Sequence, residues 1–397
     1  MKKLLNAIGV EQIGFYELLI ALYPIIMGYT YFIPMELGML LIILFVSLFK
    51  KKRVTTFSLK PVILLYSFII LHEILLIPWL NSIPSYFYNN LLSFVIFLFS
   101  LVVIIPRLDY IKLKGSLNLV GLICLLGICY HFILLIGGGS ISPIKLPFMP
   151  GMDVDSRLYA MIYRPCSFFL EPQSYASFMM IPLFMALKDK KYYWAAAIVF
   201  SLFMSTSSTG IILSFVMLAA YIISQNIRLK HKIYILVGSA GLLVLLLSSP
   251  LLKTGVDKIQ NTEASENSRL ANGFYLAQEL TPSECVLGVT ALDAHDYIST
   301  NNISTGNLNI KSERTSIYIS SFWYVLIKFG VIGLIFFLAV YYKILVSSRD
   351  IIPYVVILLC SLFSNMDYVR GLFVFQLIFI YAYVNNNYRN QISKNIV

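Results

Sequence analysis

LLKTGVDKIQNTEASENSRLANGFYLAQELTPSECVLGVTALDAHDYISTNNISTGNLNIKSERTS, residues 251–316, is the one long polar stretch in a chain otherwise made of apolar runs. Over 397 residues the sequence is 59% hydrophobic and only 12% charged, which leaves too little polar surface to coat a water-soluble fold of that size. The chain therefore reads as an all-α polytopic membrane protein, with residues 251–316 as its large external loop. A helix needs about 20 apolar residues to cross a hydrocarbon core ~30 Å thick. Windows of that order recur at 15–32, 33–49, 61–80, 91–106, 117–136, 172–187, 192–207, 209–224, 233–249, 322–345, 351–364 and 371–384. They predict about twelve transmembrane helices, the shorter windows admitting tilted or re-entrant pieces. Residues 1–250 then hold the first nine helices and an external loop at about 137–171, residues 251–316 form the large periplasmic loop, and residues 317–397 hold the last three helices and a cytoplasmic tail.

Lys and Arg set the orientation. With both termini cytoplasmic, Lys2, Lys3, Lys50 to Arg53, Arg107 to Lys114, Lys188 to Lys191, Arg228 to Lys232, Lys343, Arg349 and Arg389 all fall inside. Roughly two thirds of the basic residues are then cytoplasmic, as the positive-inside rule requires. The net charge of +11 is thus a topology signal and not a nucleic-acid footprint. Aromatic groups at Tyr29, Tyr31, Phe32 and at Tyr86, Phe87, Tyr88 stand where span ends should meet the interface. Met1 to Val10 leads into the first span without a small-residue cleavage pattern, so the expectation is insertion and retention. The five cysteines show no metal spacing, and Cys166 and Cys285 would share the outer side, where a disulfide can form. No internal repeat, heptad array, phosphate-binding glycine loop, nucleophile elbow or Walker pattern is present, and Leu76 ends any metalloprotease reading of His72 and Glu73.

Two external segments remain. The first, Gly137 to Glu171, is rich in Gly and Pro and closes on Arg164-Pro165 and Glu171-Pro172. Pro172 suits the first turn of a helix, so a span is expected to start there with Glu171 at its mouth. In the second, Ser268 is placed to cap a short helix carrying Leu270, Phe274, Ala277 and Leu280 on one side, with Arg269 in its first turn.

Basic residues on the outer side call for a reason, because topology selects against them. They are Arg157, Arg164, Arg269, Arg314 and Arg370, joined by Lys145, Lys253, Lys258, Lys311 and Lys328. Guanidinium groups hold phosphate through two parallel N–H bonds, so a lipid carrier with a pyrophosphate head would suit them. Pairing with loop carboxylates such as Glu263, Glu266, Glu279 and Glu313, or with anionic lipid head groups, is the structural alternative. Glu171 either favours the positive end of its helix or acts as general base on a sugar hydroxyl. His295, in the large loop, is either a base near neutral pH or simply solvated. The Asp153-Val154-Asp155 triplet is a spacing that can hold a divalent metal beside a pyrophosphate, though no cofactor is required.

Four stretches together resemble the Wzy-type O-antigen and capsule repeat-unit polymerases, relatives of the O-antigen ligases. They are Arg164-Pro-Cys-Ser-Phe-Phe-Leu-Glu171-Pro-Gln-Ser-Tyr-Ala; Ser205-Thr-Ser-Ser-Thr-Gly210; Ser268-Arg269 with Ala277 and Leu287-Gly288-Val289; and Gly330-Val-Ile-Gly333. Their order around one external loop carries the likeness, which covers roughly Arg164 to Val340. The resemblance implies a GT-C-like glycosyltransferase in the bacterial inner membrane, using undecaprenyl-pyrophosphate-linked glycans as donor and acceptor. It also implies a chain-length regulator protein as a partner to look for. By position Arg164 and Arg269 match the family's arginines, with Glu171 as the third catalytic candidate. Arg157, Arg314, Arg370 and His295 are added from location as pyrophosphate or glycan contacts. The ligases keep a histidine just before the Gly-x-x-Gly span, and Thr315 to Ser321 holds none, so the base stays open. The alternatives are a lipid-linked oligosaccharide flippase or transporter, which should bury charges within its spans, and a ligase or membrane acyltransferase relying on His72 or His131.

Overall fold

A computed structural model describes residues 2–29, 35–53, 57–77, 85–139, 141–147, 149, 164–225, 230, 232, 268–289, 319–363 and 370–396. Every regular element among them is helical. In chain order these are α1 (Lys2–Ala7), α2 (Phe15–Ile26), α3 (Met35–Leu48), α4 (Lys60–Leu76), α5 (Ser85–Ile104), α6 (Tyr110–Ile136), α7 (Pro172–Lys188), α8 (Tyr192–Met204) and α9 (Ser208–Ser224). They continue as α10 (Ser268–Gln278), α11 (Pro282–Leu287), α12 (Ser321–Ser347), α13 (Ile352–Ser361) and α14 (Gly371–Ile396).

Three helices are long and apolar enough to cross a membrane: α5 with its 3-10 extension, over Phe87–Arg107, then α6 and α12. The apolar helices α2, α3, α8 and α9 have 12, 14, 13 and 17 residues. At 1.5 Å per residue, even 17 residues reach only about 25 Å. Where the composition predicts about twelve spans, the described residues thus hold three full-length ones and a set of shorter apolar helices; the window 233–249 lies outside them. Lys190 and Thr206, both at positive φ, stand at the turns that bound α8, where the windows 172–187, 192–207 and 209–224 part.

Exposure is distributed as a bilayer demands. Large apolar side chains such as Phe49 (77% exposed) and Ile136 (69%) face outward, while Glu17, Glu73 and Lys328 are buried. The aromatic girdle is only partly an interface feature. Tyr88 is exposed, but Phe87 is buried, and Tyr29 is buried with its hydroxyl oxygen accepting from the Leu146 N–H at 2.6 Å.

The chain divides into two compact units, each assembled from separated segments. Unit 1 comprises Met1–Lys52, Arg107–Asn261 and Asp350–Ile357. Its centre is α7, buried along almost its whole length and packed on α6, α8 and α9. Pro172 opens α7 at its first position, where no N–H is required of it. The Tyr175 and Ser201 hydroxyls, 2.6 Å apart, tie α7 to α8. At the far end of α7 the charges pair: Lys114 with Asp189 at 3.0 Å and Lys188 with Asp350 at 2.9 Å. Basic residues that the sequence assigns to one membrane side therefore gather at one end of this unit, and Glu171 stands at the other end of α7.

Unit 2 comprises Arg53–Pro106, Thr262–Arg349 and Leu358–Val397. Its spine is α12, packed on α4, α10 and α11, with α5 bridging α4 and α14. Phe68 of α4 stacks on Phe336 of α12 with ring centres 5.0 Å apart. The α12 helix is broken at Gly330, whose φ of 64° and ψ of −173° no helix contains.

Candidate functional site

The segment leading into α7 is irregular yet tightly held. Ser167 adopts a φ of 58°, and this turn presents the Cys166 and Ser167 N–H groups together to His131 Nδ1, each at 3.3 Å. An acceptor Nδ1 leaves the imidazole proton on Nε2, and a hydrogen bond joins the ring to the backbone of Ser142. The Ser167 carbonyl accepts from the Ile144 N–H at 2.8 Å. Phe169 is buried against Tyr175 and Phe178, which fixes the entry into α7. Glu171 then takes the N-cap position in extended conformation, and its carboxylate makes no capping hydrogen bond.

Arg164, at the start of this segment, is half-buried and reaches the Ser-rich turn: its Nη1 donates to the Thr206 carbonyl over a long 3.5 Å. That turn is built by its own hydroxyls. Thr206 sits at a φ of 51°, and the Ser207 Oγ caps α9 by accepting from the Gly210 N–H at 3.2 Å. At Gly210 a Cβ would lie 2.8 Å from that of Ala176, so only glycine lets α9 approach α7 this closely. The charges of Arg164 and Glu171 both act on Cys166, whose thiol is pushed up to about 12 chiefly by burial, Arg164 opposing the rise and Glu171 adding to it. Arg164 and Thr206, 42 residues apart in the chain, thus meet at one guanidinium.

The other two stretches of the resemblance meet in unit 2. Gly288 has a φ of 83°, and a Cβ there would collide with the Lys328 carbonyl; a Cβ on Gly330 would collide with the Val286 carbonyl. The two glycines let the end of α11 press onto the break in α12, where the Val289 N–H donates to the Ile327 carbonyl at 2.8 Å. Helix α11 opens with a capping box in which the Thr281 and Glu284 side chains each bond the other's backbone N–H. Helix α10 carries Arg269 in its first turn, with Ser268 as its first helical residue. The face α10 buries is Asn272, Gly273 and Leu276, whereas Phe274 is half exposed, edge-on to Trp323. The apolar side read from the sequence is therefore not the packed one, because Gly273 admits Trp323 where any side chain would clash.

Lys328, set by the sequence among the external cations, is 6% exposed within α12, and its Nζ lies 3.4 Å from Glu73 Oε1 of α4. Phe94, Tyr324 and Phe329 surround the ammonium with ring centres 5.9, 5.6 and 5.7 Å away. Beside Glu73, His72 donates through Nε2 to the Leu287 carbonyl at 2.5 Å. Arg370, just before α14, donates from Nη2 to Asn90 Oδ1 at 3.3 Å and lies within electrostatic range of Lys328.

Of the candidate residues, Arg164 and Glu171 belong to unit 1, and Arg269 and Arg370 to unit 2. Arg157, Arg314 and His295, with Asp153 and Asp155, lie outside the described residues. Among those described, no three His, Cys, Asp or Glu side chains gather as metal ligands. Cys166 and Cys285 are both free thiols. Sequence reasoning missed the His72–Glu73–Lys328 group; its signal was two charges, Glu73 and Lys328, inside apolar windows. Compared with known proteins, the chain matches no family model and no curated protein.

Proposed function

We propose that this protein polymerises undecaprenyl-pyrophosphate-linked oligosaccharide repeat units into O-antigen or capsular polysaccharide, as a GT-C-like glycosyltransferase acting at the external face of the bacterial inner membrane. In this reading both termini are cytoplasmic, and the shorter apolar helices complete a set of about twelve membrane-inserted elements. One observation carries the proposal. The four stretches that resemble the Wzy-type polymerases are not scattered but pair in space, two in each unit: Arg164 to Glu171 with the Ser205–Gly210 turn, and the Gly288 turn with the Gly330 break.

The reaction assigns clear tasks to these groups. An acceptor sugar hydroxyl attacks the anomeric carbon of the donor; the C–O bond to the pyrophosphate breaks, and the lipid diphosphate leaves with the electron pair. Charge grows on that leaving group, so arginines pre-set to grip it lower the barrier. Arg164 and Arg269 take that role, with Arg157, Arg314 and Arg370 as further diphosphate or glycan contacts. Glu171, the N-cap residue of α7, is the base that receives the hydroxyl proton; His295 serves as a glycan contact. A chain-length regulator is the protein partner such an enzyme would take, and no metal is needed.

The buried Glu73–Lys328 pair is a specific observation in favour of the second reading, a lipid-linked oligosaccharide flippase, because transporters place ion pairs inside their spans. Deleting the gene and running the surface polysaccharide on a gel separates the two. Polymerase loss leaves a core bearing a single repeat with no ladder; flippase loss removes the surface glycan altogether; long chains retained on the lipid carrier point to a ligase. Arg164→Lys and Arg269→Lys keep the charge and lose the two-pronged donor, so each should abolish the ladder at unchanged protein level. Reporter fusions that put Arg164 in the cytosol would end the proposal.

A further inference from the structure

Unit 2 contains a grip whose side chains take no step in the proposed reaction. His72 and Glu73 are consecutive residues near the end of α4, yet their side chains reach two different partners. His72 holds the turn after α11 by the Leu287 carbonyl, and Glu73 holds α12 by the Lys328 ammonium. Those two partners are pressed together through Gly288, whose Cα sits against the Lys328 carbonyl, and through the Val289 to Ile327 hydrogen bond. Lys328 is thus engaged twice, by its side chain from α4 and by its backbone from the turn. The site is buried: Glu73 is 1% and His72 7% exposed, and aromatic rings of Phe68 and Phe329 flank the imidazole. Gly330 breaks α12 just beyond Lys328, so the usual helix bonds do not hold this turn in place. The same arch of chain, 268–289, carries Arg269 at its other end, with α10 and α11 both docked on α12.

We propose that His72 and Glu73 are positioning residues: together they latch the Leu287-Gly288-Val289 turn to the broken α12 and so set where the helix bearing Arg269 stands. That Arg269 then meets the diphosphate rests on the polymerase reading; the latch itself does not. A buried ion pair is a weak source of stability but a strong source of register, since either charge left alone is intolerable while both removed together is tolerable. Two neighbouring residues on one helix gripping both sides of a joint make that register a property of α4.

Cys285, within α11, reports the latch directly. In a full-length chain with Cys124, Cys129, Cys166 and Cys360 changed to alanine, the rate of maleimide labelling at Cys285 is measured in membranes for each variant. His72→Ala leaves the ion pair intact and should speed labelling about tenfold or more, by shifting the local opening of the turn. His72→Gln keeps an N–H for the Leu287 carbonyl and should restore the parent rate. Glu73→Gln strands the ammonium and should also open the turn, or cost the fold, whereas Glu73→Gln with Lys328→Met should return labelling close to the parent. Unchanged labelling in well-expressed His72→Ala, or failure of His72→Gln to rescue it, overturns the latch. The polysaccharide ladder is read on the same strains: fast labelling with a full ladder keeps the latch and removes the polymerase role of this loop.

Discussion

The irregular segment 164–171 of unit 1 and the short helix α11 with its closing turn, 281–289, of unit 2 are each held by one histidine from elsewhere in the same unit. In unit 1, His131 accepts two backbone N–H groups at one nitrogen. In unit 2, His72 donates to one backbone carbonyl, and the residue beside it makes a buried ion pair. Both imidazoles carry their proton on Nε2, so the same tautomer serves as acceptor in one place and donor in the other. The difference lies in what remains when a partner is lost. Unit 1 would be left with unpaired neutral groups, unit 2 with a naked charge, and the second failure is the costlier.

The comparison breaks first at Lys328. Lys328→Met leaves Glu73 buried and uncompensated, and should cost about 3–5 kcal/mol in detergent unfolding, most of it recovered when Glu73→Gln is added. Gly330→Ala comes next: a Cβ there meets the Val286 carbonyl at a φ of 64°, and the strain should cost about 1–3 kcal/mol. A smaller loss falls in unit 1, where His131→Ala orphans the Cys166 and Ser167 N–H groups; about 1–3 kcal/mol is the expected range, with a water able to supply part of it. Equal losses at Lys328 and His131 would erase the distinction drawn between the two units.

The smallest effect sharpens the neutral case. Burial raises the Cys166 thiol from 9.0 to about 12. A raised folded pKa contributes stability that is complete below the unfolded value and is lost as pH rises from 9.0 towards about 12. Alkaline unfolding should therefore be milder in Cys166→Ala than in the parent above pH 9.0, and the two should converge in pH dependence below it. A parallel alkaline slope in both chains would place the thiol in water.

Several features were legible from residue order because they depend on local rules. Pro172 after Glu171 marked the start of α7, and the runs around 117–136 and 322–345 became α6 and α12. The Arg164 and Ser205 stretches were named by the family resemblance, which does not say that they meet. Other features were illegible. The pairing of Lys328 with Glu73 was hidden because charge alone does not say which partner lies across from it. Phe274 looked like the packed side of α10 because periodicity sees apolarity and not the space that Gly273 opens for Trp323.

By itself the amino-acid order determined that this is a helical protein for a bilayer, because composition and run length measure free energy of transfer and need no partner. Only the tertiary structure decided which turns meet, that His72 and Glu73 reach across to Leu287 and Lys328, and that Arg164 stands over Thr206. Pairings of this kind join residues far apart in the chain, and their energies depend on distance and on the exclusion of water, neither of which sequence spacing encodes.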